Sequence, residues 1–249
     1  MQLSSGAGEV TGELVISDLW VGYGDVVAVR GVSLSVAPGE IVALLGANGA
    51  GKSSILQAIT GMVPSSRGTI HVGPTDLTRL LPEQRAPHVA HVPEGRRLFP
   101  RHTVRENLDL GAFGAHRNER SRRRHEVHEL FPQLRELDGR EAGLLSGGQQ
   151  QMVALGRGLM SGAPALVIDE LSLGLAPTVA GRFATSLRQL RDRGLAILLV
   201  EQYVNLAART ADRIVVIDRG EVVLAGEAAI VADDARAIQV AYLGSDNEN

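Results

Sequence analysis

The stretch IVALLGANGAGKSS, residues 41–54, leaves the chain few ways to fold. Its first five residues are all apolar, as in a strand buried on both faces of a sheet. GANGAGKS (46–53) then matches G-x-x-x-x-G-K-[ST], and the segment after Gly51 reads as a helix to about Gly61. A buried strand, a glycine-rich turn and a helix in that order make a phosphate cradle. Gly46, Gly49 and Gly51 let the backbone curl so that successive N–H groups point inward at phosphate oxygens, and the helix N-terminus adds partial positive charge. The candidate ligand-binding residues are Gly46, Ala47, Asn48, Gly49, Ala50, Gly51, Lys52, Ser53 and Ser54. Ser53 offers a hydroxyl to Mg²⁺, a cation that takes oxygen ligands and keeps several waters.

Lys52 is the only lysine among 25 lysines and arginines. A chain that elsewhere uses arginine keeps lysine where geometry demands it. An ammonium on a thin stem reaches β- and γ-phosphates, whereas a planar guanidinium fork is too bulky for the same cradle.

Composition narrows the function classes. A net charge of −3 argues against a nucleic-acid binder working by general electrostatics. With no cysteine there are no disulfides, thiolate metal sites or cysteine nucleophile, which fits a cytoplasmic location. Apolar runs such as LAILLV (195–200) fall far short of the roughly 18 residues of a membrane span. Residues 1–12 lack a signal-peptide pattern and read as a flexible polar leader, with a single domain expected over 13–249. Membrane contact would come through a partner.

The expected fold is α/β, with a mostly parallel core sheet, an antiparallel N-terminal β layer and an inserted helical subdomain at about 95–160. Residues 13–17 and 26–36 alternate apolar and polar, as antiparallel strands with one wet face do. HVAHV (88–92), ALVID (165–169) and AILLV (196–200) are further buried strands, and 213–218 with 221–225 read as a hairpin. Thr103 and Glu106 suit a capping box. The run 116–130 is charged and helix-compatible; a solvated face is its plain explanation and a contact patch the other.

ALVIDE (165–170) is an apolar strand ending in two acids. In a nucleotide fold Asp169 holds Mg²⁺, directly or through water, and Glu170 polarises the attacking water. LSGGQQQ (145–151) supplies a second anion site, with Ser146 capping a helix that begins at Gly147 and two glycines exposing its first N–H groups.

GANGAGKSS, LSGGQQQ and ALVIDE in this order resemble the ATP-binding cassette (ABC) ATPases, over roughly residues 13–244. The resemblance implies ATP and Mg²⁺ as ligands. It also implies a head-to-tail pair in which Ser146, Gly147, Gly148 and Gln149 face the γ-phosphate held by the opposite P-loop. Tyr23 matches the aromatic that stacks on adenine, and SLGLAP (172–177) lies at the interface-crossing D-loop. Four positions depart from the family pattern. Glu94 stands at the Q-loop glutamine, which contacts the metal; Gln202 replaces the switch histidine. Ala176 takes the place of the D-loop aspartate, and Leu171 that of a proline.

These departures fit either a poorly hydrolysing site or a subfamily. VPEGRRLFPRHTVRENL, SLGLAP, LVEQ and AYLG together look like the shorter ATPase of branched-chain amino acid importers. Such a subunit works peripherally at the cytoplasmic face of the membrane. Its partners are permease subunits, a second ATPase and, indirectly, an extracytoplasmic binding protein; nucleic acid is not expected. The alternatives are the ATPase of a urea or amide importer, a soluble ABC ATPase outside transport, and a nucleotide-gated regulator.

Overall fold

Strands that are apolar without interruption need cover on both faces, and the central sheet receives it. The computed structural model describes residues 12–170, 175–234 and 239. The expected leader, apart from Gly12, therefore lies outside the described residues, as do Leu171, residues 172–174 of the D-loop segment and the AYLG ending.

The first half of the chain runs β1 (Leu14–Tyr23), β2 (Val26–Val36), β3 (Ile41–Leu45), α1 (Lys52–Thr60), β4 (Arg67–Val72), β5 (Thr75–Asp76), α2 (Pro82–Arg85) and β6 (Val89–Val92). Helices α3 (Val104–Gly111), α4 (Arg117–Leu130), α5 (Pro132–Glu136) and α6 (Gly147–Leu159) follow. The remainder is β7 (Ala165–Asp169), α7 (Pro177–Asp192), β8 (Ala196–Glu201), α8 (Val204–Thr210), β9 (Arg213–Asp218), β10 (Glu221–Glu227) and α9 (Ala228–Ala232).

The core sheet has the order β10-β9-β3-β8-β7-β6. Neighbours from β9 to β6 pair in parallel, and only the β9–β10 hairpin is antiparallel. A second, antiparallel sheet of order β2-β1-β4-β5 forms the N-terminal layer. All five residues of β3 are fully buried, and their side chains alternate between faces. Val42 and Leu44 join the cluster shared with β1, β2 and α1, while Ile41 joins the helical lobe and Ala43 and Leu45 pack with α8 and α9. Each buried Ile, Leu or Val contributes about 1.5–3 kcal/mol, so the strand is held firmly where the phosphate loop leaves it.

The helices from α3 to α6 close over the opposite face of the sheet. Leu108, Val127, Phe131 and Leu134 share one apolar cluster with Leu166 and Ile168 of β7 and Leu199 of β8. Thr103 and Glu106 form the expected capping box at α3, by Thr103 N–H to Glu106 Oε2 at 2.8 Å and Glu106 N–H to Thr103 Oγ1 at 3.2 Å. The charged run in α4 is not a purely solvated face. Arg123 donates to the Met160 and Ser161 carbonyls beyond the end of α6, and Arg124 pairs with Asp109 at 2.5 Å.

Candidate active site

The phosphate loop forms as its glycines require. Gly49 and Gly51 have φ of 83° and 107°, in the left-handed region that other residues avoid. A Cβ at Gly46 would come within 2.4 Å of the Ile217 carbonyl oxygen, and one at Gly51 within 2.6 Å of that of Ala28. Lys52 opens α1 and is almost wholly buried. Its Nζ donates to the carbonyls of Gly46 at 2.6 Å and Ala47 at 2.9 Å, so the ammonium is folded back into its own loop. Burial pushes its pKa down, and the carboxylates of Glu170 and Asp169 oppose that shift.

Asp169 ends β7, with Glu170 beyond it at φ 47°, a left-handed conformation costing a non-glycine residue roughly 1–2 kcal/mol. The Glu170 N–H is tied to the Val200 carbonyl of β8 at 3.0 Å, which fixes that turn. Burial, then Glu170, then Glu94 raise the Asp169 pKa to about 6, against the lowering effect of Lys52. Two further carboxylates thus act on Asp169, and one ammonium opposes them.

Gln202, one residue beyond β8, bridges the site. Its Nε2 donates to Asn48 Oδ1 at 3.0 Å and to Glu170 Oε1. The phosphate loop, the acid after β7 and the residue after β8 are thereby joined through a single side chain. Asn48, Gly49, Gly51, Lys52, Ser53, Ser54, Glu94, Glu170 and Gln202 line one cleft of about 450 Å³, together with Ala28. Tyr23 stands half-exposed beside α1, its hydroxyl donating to Gln57 Oε1 at 2.7 Å, with Ser54 Oγ at 3.4 Å.

Ser146, Gly147, Gly148 and Gln149 do not line that cleft. Ser146 caps α6 as expected, accepting from Gln149 N–H at 3.4 Å, while Gln149 Oε1 accepts from Ser146 N–H at 2.9 Å. Of the D-loop, Ala176 is described and is the N-cap of α7. Sequence reasoning missed Arg96 and Arg157, whose side chains connect the loop after Glu94 to α6. Nothing in their spacing signals this.

The ABC transporter family pattern matches residues 29–172, from β2 through both phosphate-loop and acidic-strand segments. This chain belongs to the ABC transporter ATPase family. The high-affinity branched-chain amino acid transport ATP-binding protein BraG of Pseudomonas aeruginosa is 41% identical over 223 residues, 89% of this chain and 95% of that protein. The L-cystine transport system ATP-binding protein TcyN of Escherichia coli is 33% identical over 82% of this chain and 86% of that protein. A crystal structure of a nucleotide-free ATP-binding cassette from an ABC transporter superposes with a TM-score of 0.82, at 25% identity, over 91% of this chain and 97% of that one. The fold is thus the ABC ATPase fold. As expected of such a subunit, no helix among the described residues is long and apolar enough to cross a membrane.

Whether Mg²⁺ suits the cleft can be judged from its donors. No group of three or more His, Asp or Glu side chains among the described residues could cage a metal. Mg²⁺ in nucleotide sites is commonly held by one or two protein oxygens, waters and substrate phosphates. Ser53, which is exposed, and Glu94 line the cleft and would offer such oxygens, as would Asp169 at the end of β7.

Proposed function

We propose that this chain is the ATP-hydrolysing subunit of an importer for branched-chain amino acids, acting at the cytoplasmic face of the membrane. The observation that carries the hydrolytic part is the Asn48–Gln202–Glu170 bridge across the phosphate-loop cleft. The substrate class rests on the 41% likeness to BraG along nearly the whole chain.

The chemistry assigns each residue a task. Backbone N–H groups from Gly46 to Gly51 and the α1 N-terminus cradle the phosphates, and Lys52 leaves its loop carbonyls to meet the β- and γ-oxygens. Ser53 and Asp169, with Glu94 nearby, would hold Mg²⁺, which when bound would supply positive charge to the phosphates. Glu170 accepts hydrogen bonding from the attacking water and orients it in line. Gln202 fixes the carboxylate's position, but its amide neither takes up nor releases a proton at neutral pH. Tyr23 stacks on the base. Ser146, Gly147, Gly148 and Gln149 complete the site of the opposite protomer, which explains why they stand apart from the cleft of their own chain.

The partner protomer is a second ATPase subunit, and permease subunits carry the solute. Closure drives transport because ATP prefers the joined pair over the separated one; equal affinity would shift nothing. The test is reconstitution with permeases, the sister ATPase and the solute-binding protein in vesicles. ATPase stimulation by leucine, isoleucine or valine is expected. Stimulation by urea or short amides alone would overturn the substrate class, and no stimulation with any solute would overturn import.

A further inference from the structure

Directly after Glu94, the residues Gly95, Arg96 and Arg97 all have positive φ, of 70°, 65° and 47°. For the two arginines this is an isolated left-handed well, which persists only where the surroundings over-determine it. A tight turn, with Arg97 N–H donating to the Gly95 carbonyl at 2.7 Å, and the neighbouring α6 hold it here. Arg157 Nη1 donates to the Arg97 carbonyl at 2.8 Å, and Nη2 to that of Arg96 at 3.0 Å. Arg96 in turn donates to Gln150 Oε1 at 3.0 Å and Gln151 Oε1 at 3.2 Å. Its guanidinium lies so close to the start of the helix that a Cβ on Gly147 would stand 3.1 Å from it.

Four hydrogen bonds therefore join this loop to one helix. Gln150 and Arg157 are seven residues apart, which places them on the same helical face, two turns from each other. Partial burial lowers the Arg157 pKa, and its fork spends two donors on those carbonyls. The loop cannot move off α6 without breaking a charge-assisted pair of bonds, one exposed and one half-buried.

We propose that Arg157 is a positioning residue that fastens the Glu94 loop to the α6 helix. A displacement of Glu94 by ligand in the chain's own cleft is thereby passed to Ser146–Gln149, the surface offered to the partner's ATP. Only the final clause rests on the function proposed above. The fastening itself stands on the geometry.

The experiment is hydrogen–deuterium exchange over residues 145–151, with and without ATP and Mg²⁺. Dilution at which light scattering shows a monomer keeps pairing from causing the change. The wild-type chain is expected to alter exchange there, although those residues do not touch its own cleft. Arg157→Gln should remove that response while the Kd for a fluorescent ATP analogue stays within about twofold, and kcat in the assembled transporter should fall about tenfold. Arg157→Lys, whose ammonium can reach the same carbonyls without the fixed fork, should restore part of both. Arg96→Ala guards against misfolding of the Arg157 variant, since it cuts the Gln150 and Gln151 bonds alone; it should weaken the same response. An unaltered wild-type exchange, or a full response in both Arg157→Gln and Arg96→Ala, overturns the proposal. Failure of Ser146→Arg to block ATP-dependent pairing would overturn the trans assignment and leave the monomer result standing.

Discussion

Gln202 and Glu170 meet across the ends of two adjacent parallel strands, the amide of the first donating to the carboxylate of the second. The same nitrogen holds Asn48 of the phosphate loop at 3.0 Å. Because an amide does not titrate, the ATPase rate should show no inflection near pH 6.5 from this position. Gln202→His should introduce one. Gln202→Ala should lower turnover about tenfold or more by releasing the carboxylate. An unchanged rate in assembled transporter would remove Gln202 from the mechanism.

Lys52→Arg keeps the charge and loses the shape. The ammonium sits between the Gly46 and Ala47 carbonyls in a space that a guanidinium fork does not share. Turnover should fall to background and ATP affinity should drop, both measurable by phosphate release and by titration with a fluorescent analogue. Near-wild-type turnover would show that charge alone suffices.

Glu170→Gln preserves volume and removes the proton acceptor. ATP binding should survive while kcat falls about 100-fold or more. ATP then persists between the two cradles, and size-exclusion chromatography with ATP and Mg²⁺, adding the sister ATPase if the chain does not self-pair, should show a stable dimer. Ordinary hydrolysis by this variant would assign the catalytic carboxylate elsewhere. ATP binding without dimer formation would sink the two-cradle pair.

His91 on β6 gives a pH signature of stability. Its Nε2 is buried without a hydrogen-bond partner, and burial lowers its pKa from 6.5 to about 4. The folded chain keeps this ring neutral where the unfolded chain protonates it. The native state thus binds fewer protons, and stability falls as pH drops from about 6.5 to about 4. Urea unfolding at pH 7 and pH 5 should show His91→Leu losing about 2 kcal/mol less than wild type over that interval. Equal losses in both chains would place the acid sensitivity at other groups.

The interior strands were legible because they need cover on both faces. IVALL and ALVID, both unbroken apolar runs, have the same bounds in the structure as in the sequence. By contrast, β4 (RGTIHV) pairs within the outer sheet and half of it faces solvent, so its pattern is short and diluted by polar residues. Strand β1 reads clearly to residue 17, then bulges through Asp18 at φ 48° before continuing to Tyr23, and the bulge breaks its alternation. Within the site, the glycine loop and the two acids announce their chemistry by local order. The Asn48–Gln202 bond joins residues 154 apart in sequence, and the Arg157 fork holds backbone carbonyls. Carbonyls are common to every residue, so such a contact leaves no trace in side-chain pattern.

Lys52, buried at the foot of the cleft, carries the only side-chain primary amine in the chain. Acylating reagents, lysine acetylation and amine-directed cross-linkers thus have one internal amine target, and it lines the cleft. Their mass signature on the intact protein, apart from any at the N-terminus, therefore reports on Lys52 alone, without an engineered label.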